Sequence, residues 1–134
     1  MTTQKTTQRQ TTLEVPDLPN TANTWTKAQR GAYTELTSTS ASIAVDLALS
    51  NNFNHTLTED TTLVAPSNVV SGQSGVIHFT QHASAAKTLA FASFWEFGVS
   101  DDFTMTTTLG GTAVMTYIVD PAGTSATCSW MNKS

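Results

Sequence analysis

Apolar and polar residues alternate with period 2 in several short runs along the chain, which is the pattern of half-buried β-strands. Ile43, Val45, Leu47 and Leu49 fall on one side of the clearest run, with Ala44, Asp46 and Ala48 on the other. Phe53, His55 and Leu57 repeat the pattern after an Asn51-Asn52 turn, a short run follows at Thr61 to Val64, and Val76 to Gln81 alternates again after Pro66 and the GQSG corner. Lys87 to Phe94 is predicted to pair with Val76–Gln81 as a hairpin through the loop from His82 to Ala86. Phe103 to Thr108 leads into Gly110-Gly111, a hairpin signal, and Ala113 to Val119 is apolar almost throughout, as expected of a strand covered on both faces. Asp120-Pro121-Ala122-Gly123 is a turn, because proline presets φ and glycine accepts a positive one, and Ala126, Cys128 and Trp130 mark a last strand. About nine short strands at such spacings predict an all-β fold, a small antiparallel β-sandwich or barrel-like module.

The first 23 residues differ. They are rich in Thr and Gln, carry Pro16 and Pro19, and offer only Leu13, Val15 and Leu18 as apolar points, too few for a core. The chain therefore divides into an extended N-terminal arm, residues 1–23, and a β-module, residues 24–134. Leu13 and Val15 at period 2 before a proline suit a strand added to a partner's edge. Asn23 or Thr24 is placed to cap a short helical turn through Gln29, with Gly31 as its stop and Trp25 as an apolar anchor. Leu13, Val15, Leu18 and Trp25 are the candidate partner-binding residues.

Composition changes the picture in two ways. With 134 residues and 39% hydrophobic content the chain can bury one modest core. Only 12% of residues are charged, and Thr and Ser are abundant, so solubility rests on hydroxyls or much of the surface faces other subunits. A net charge of −4 with six scattered Lys and Arg argues against nucleic-acid partners, which need clustered cations. No segment approaches the roughly 18 apolar residues of a membrane span, and the N-terminus lacks a signal-peptide core. One cysteine, Cys128, cannot make an internal disulfide and reads as a small apolar strand residue.

Candidate chemistry is sparse. His78 and His82, four apart in a strand, would sit about 13 Å from each other, too far to share a metal, although His78 across from His55 is conceivable. GQSG lacks the spacing of a nucleophile elbow, and Glu59-Asp60 and Asp101-Asp102 read as solvated turn charges rather than a catalytic pair. The chain is thus expected not to be an enzyme and to need no metal or cofactor. Trp95, Phe97 and Tyr117 are the aromatics set aside for a glycan platform or an interface.

From about Thr24 onward the sequence resembles a small module of tail-fibre and related virion proteins of tailed bacteriophages. The resemblance lies in TWTKAQRG at Thr24 to Gly31, NNFNHTLTEDTTLVAPSN at Asn51 to Asn68, GQSGVIHFTQ at Gly72 to Gln81, the KTLAF and FWEF runs, AVMTYIV, and a final GTSAT. It implies a structural, non-enzymatic role in a homotrimeric assembly of a virion, the chain being made in the host cytoplasm. The chain is expected to stand free of a shaft or tip, which suits a capsid decoration or cement protein, or a short fibre, docked by its arm on capsid, portal, neck or tail proteins. The alternative is a host-surface glycan adhesion module of the tail.

Overall fold

A computed structural model describes residues 26–100 and 103–133. The chain divides into two compact units, Met1–Arg30 and Gly31–Ser134. Of the first unit the described part is residues 26–30, a bend at Thr26 and Lys27 in which Gln29 Nε2 donates to the Lys27 carbonyl at 2.9 Å. The expected boundary at residue 23, the caps at Asn23 and Thr24, and the candidate contacts Leu13, Val15, Leu18 and Trp25 lie outside the described residues.

The second unit is all-β, with no helix among the described residues. Its strands are β1 (Tyr33–Glu35), β2 (Ser38–Thr39), β3 (Ser42–Ile43), β4 (Asn52–Thr56), β5 (Thr61–Leu63), β6 (Ser74–Thr80), β7 (Leu89–Phe91), β8 (Trp95–Phe97), β9 (Thr112–Val119) and β10 (Ala126–Lys133). They form a six-stranded sheet in the order β1-β4-β6-β9-β10-β8 and a four-stranded sheet in the order β2-β3-β5-β7.

Both sheets are mixed, which corrects the expected antiparallel pairing. Strand β4 lies parallel to both β1 and β6, with Tyr33 beside Asn52 and Asn52 beside Val76. Strand β5 likewise lies parallel to β3 and β7, with Ser42 beside Thr62 and Thr62 beside Ala90. The chain therefore crosses from one sheet to the other and back, and three successive passes stack in register. Parallel neighbours need a crossover of a dozen or more residues, and the partner positions here are 19 to 28 residues apart. A corner holds the first two passes together: Asp46 bridges Ser67 in parallel, Leu47 N–H donates to the Ser67 carbonyl at 3.1 Å, and Ser67 N–H to the Val45 carbonyl at 2.9 Å.

The predicted hairpin of Val76–Gln81 with Lys87–Phe94 is not formed, because β6 and β7 belong to different sheets. Period 2 places the same residues inward for either strand direction, so alternation is silent on that choice. Only β9 and β10, joined by the Asp120 to Gly123 turn, make the long antiparallel hairpin, and β6 pairs antiparallel with β9 to seat it on the last pass. Gly123 has φ of 72° and Asp120 Oδ1 accepts from the N–H groups of Thr124 and Ser125. Residues 103–108 are not a strand; Asn132 of β10 holds them by donating to the Thr104 carbonyl and accepting from Thr106 N–H, each at 2.9 Å.

Inward side chains of the two sheets form the core, led by Phe53, Phe79, Ile43, Leu57, Leu63 and Ile77, all fully buried. The Ile43 to Leu49 alternation is only briefly a strand. Ile43, Val45 and Leu47 point into the core through the corner, while Leu49 is 66% exposed at the end of a turn in which its N–H donates to the Asp46 carbonyl at 3.1 Å. Strand β9 is covered on one face rather than two: Ala113, Met115, Tyr117 and Val119 are buried, whereas Thr116 and Ile118 face out. Gly75 is required where β6 passes β4, because a Cβ there would collide with the Asn51 carbonyl and the Tyr117 hydroxyl.

Candidate functional site

Of the three aromatics proposed from sequence, two are structural. Trp95 is buried, its Nε1 donates to the Val64 carbonyl at 3.0 Å, and its ring meets Tyr117 edge-to-face at 5.8 Å. Val64 follows β5 of the four-stranded sheet, so this bond ties one sheet to the other. Tyr117 is buried too, donates to the Asn51 carbonyl at 2.9 Å, and has its ionisation pushed up to about 12 by burial. Both side chains are thus covered within the second unit, at 3% exposure each. Phe97 is half-buried and stacks on Phe103 at 4.8 Å, with Phe91 edge-to-face against it at 4.8 Å.

The histidines are kept apart by the parallel register. His55 pairs with Phe79 and Asn54 with His78, so His55 points inward and His78 outward, and they do not share a metal site. His55 is buried with Nδ1 at 2.7 Å from the Leu36 carbonyl. His82 Nδ1 accepts from the N–H groups of Ser84 and Ala85, closing the turn after β6. Among the described residues no group of three or more His, Cys, Asp or Glu is placed to hold a metal.

The acids serve local loops. Asp60 Oδ1 accepts from the Thr88 backbone N–H at 2.8 Å, and that bond holds its carboxyl below the usual range. Asn68 does the same for Asp46, donating from Nδ2 at 2.7 Å, and the Ser125 backbone N–H does so for Asp120. Glu59 Oε1 accepts from Ala41 N–H at 3.3 Å. Asp101 and Asp102 lie outside the described residues.

What the register does assemble is the outward face of the six-stranded sheet. One row across it reads Tyr33, Asn52, Val76, Thr116 and Ser129; the next reads Glu35, Asn54, His78, Val114 and Met131. Within these rows the one carboxylate, Glu35, sits on the edge strand, and the interior is hydroxyl, amide, imidazole and aliphatic. Towards β10 aliphatic side chains stand among hydroxyls: Met131 is 62% exposed beside Val114, and Ile118 on β9 is 51% exposed beside Thr127. Towards β1, Tyr33, Asn54 and His78 line a shallow open depression. Tyr33 is 52% exposed and its ring reaches across β4 to meet His78 edge-to-face at 5.4 Å. Sequence reasoning overlooked this group because its members are 21 and 24 residues apart, and only parallel stacking makes them neighbours.

Comparison with protein-family models, with curated proteins and with solved structures finds no match.

Proposed function

We propose that this chain is a structural protein of a bacteriophage particle, a short fibre or capsid decoration protein whose N-terminal tract docks on capsid, portal, neck or tail proteins while a homotrimer of the β-module is displayed. The role is binding by burial rather than catalysis. The observation that carries this reading is the outward face at β9 and β10, where Val114, Ile118 and Met131 stand exposed or half-exposed among Thr116, Thr127 and Ser129. Large aliphatic side chains on a sheet face gain when a partner removes them from water, by about 25 cal/mol per Å² of apolar surface, and the charges on this face, Glu96 beside Thr127 and Lys133 beyond Met131, stand at its margin. The sequence resemblance supports the same reading, and the residues that carry it include all of β4, β5, β6, β7 and β8, β9 from Ala113 on, and most of the β5–β6 connection.

Mass spectrometry of purified particles should find the chain at a fixed stoichiometry, and light scattering should give the free protein three times its 14.3 kDa mass. Deleting residues 1–22 should leave the module folded but absent from particles. Normal incorporation of the shortened chain would sink the docking role of the tract, and a monomer at all concentrations would sink the trimer.

A further inference from the structure

We propose that Tyr33, Asn54 and His78 form a subsite for a single neutral pyranose ring. The proposal does not depend on where the protein resides. It starts from the aromatic ring. Tyr33 belongs to the edge strand, yet its ring is not a loose surface group, because it lies across β4 and rests edge-to-face against His78 two strands away, with centroids 5.4 Å apart. Half of the side chain remains open to solvent. An aromatic ring already held in place gives a sugar's C–H face an apolar surface with little ordering cost on binding.

The polar groups around the ring fit a polyol. Asn54 and His78 are register partners on adjacent strands, about 4.8 Å apart along the sheet, and Glu35 continues the same row. Among the described residues no hydrogen bond engages the Asn54 amide, the His78 imidazole or the Glu35 carboxylate, so all three can turn to a ligand. The amide both donates and accepts, the neutral imidazole does the same through its two nitrogens, and the carboxylate accepts. That set can satisfy neighbouring hydroxyls whose own donors and acceptors alternate. A small apolar platform with a few convergent polar groups is the general composition of a ligand site. Charge narrows the class further. The described lining carries no cation, and Glu35 stands in the same row as Asn54 and His78, so uronates, sialates and phosphorylated sugars are disfavoured relative to uncharged hexoses.

The test uses the full-length chain, labelled with nitrogen-15, titrated with the methyl pyranosides of glucose, galactose, mannose and N-acetylglucosamine. At least one should shift the amide resonances of Tyr33, Asn54 and His78 saturably at millimolar concentration. Tyr33→Ala should weaken that binding about tenfold or more, Tyr33→Phe should keep most of it, and Leu109→Ala, 52% exposed in the turn before β9 and outside the depression, should leave it unchanged. Should Tyr33→Ala fail to fold, Asn54→Ala gives the reading and should weaken binding several-fold. The proposal is overturned by a titration in which none of the four sugars gives a saturable shift at these residues, by binding confined to glucuronate or N-acetylneuraminate, or by folded Tyr33→Ala or Asn54→Ala binding as the parent does. These outcomes are independent of particle incorporation, so the docking reading can fail while this one stands, and the reverse.

Discussion

Gln81 does more for the fold than its place at the end of an alternating run announces. It is 1% exposed, its Nε2 donates to the carbonyls of Lys87 and Thr106, and its Oε1 accepts from the N–H groups of His82 and Lys87. Two loops are thereby tied to the end of β6 by one side chain with all four of its hydrogen-bonding positions used. Gln81→Leu would keep the volume but strand those backbone groups, and a loss of about 3 kcal/mol is expected in urea unfolding. A second residue-scale effect is titration. Asp46, Asp60 and Asp120 have carboxyls held below 3.8, chiefly by the Asn68 side chain, the Thr88 N–H and the Ser125 N–H respectively. A depressed carboxylate contributes stability that is present above its unfolded pKa and is lost as pH falls through the folded value. The urea midpoint should therefore hold steady from neutral pH down to about 4 and drop below it, and Asp60→Asn should make that drop shallower. A midpoint insensitive to acid in this range would count against these bonds.

At the scale of elements, the turns carry the strain. Strands β2 and β3 are joined by Ser40 and Ala41, both at positive φ, 52° and 59°. Two left-handed residues in a two-residue connection are the geometry of a type I′ hairpin, which normally recruits Asn and Gly. An alanine there costs about 1–2 kcal/mol, while glycine's extra freedom in the unfolded chain costs only about 0.5–1 kcal/mol. Ala41→Gly should consequently raise stability by up to about 1 kcal/mol, seen as a higher melting temperature with an unchanged urea m-value. Destabilisation would show that the Ala41 methyl packs productively. The same scale explains the missing Phe103–Thr108 strand. Gly110 turns the chain at φ of 70° as the Gly-Gly pair suggests, but the side chain of Asn132 takes up backbone groups that a ladder would have used.

Across the whole second unit, the sheets are fastened by a few buried polar bonds set in an apolar core. Trp95 to Val64 joins one sheet to the other, Tyr117 to Asn51 spans β6 within the six-stranded sheet, and Cys128 lies on the same inner layer, 3% exposed. Burial pushes the Cys128 thiol up to about 12 and the Tyr117 phenol to the same level. For these acids the raised value means that stability is complete below the unfolded pKa and declines as pH rises towards the folded one. Alkaline unfolding should begin above about pH 9. Below that, Cys128 should resist iodoacetamide in the native protein and react at the rate of global unfolding, so that labelling tracks the urea transition. Rapid labelling of folded protein would show that the inner layer opens locally.

Period-2 alternation and turn chemistry by themselves determined that this chain is all-β, that Phe53, Ile77 and Ala126 face inward, and that Asp120 to Gly123 reverses the chain. Those features depend on local sterics and on burial of one face, which a linear pattern expresses directly. Strand direction, the assignment of β6 and β7 to different sheets, and the burial of Trp95 and Tyr117 were decided only by the tertiary structure. Each depends on which segments, 19 or more residues apart, come to lie side by side. The Tyr33, Asn54 and His78 group belongs to the same class. Its residue types are ordinary taken singly, and stacking of successive passes in parallel register is what makes them a site.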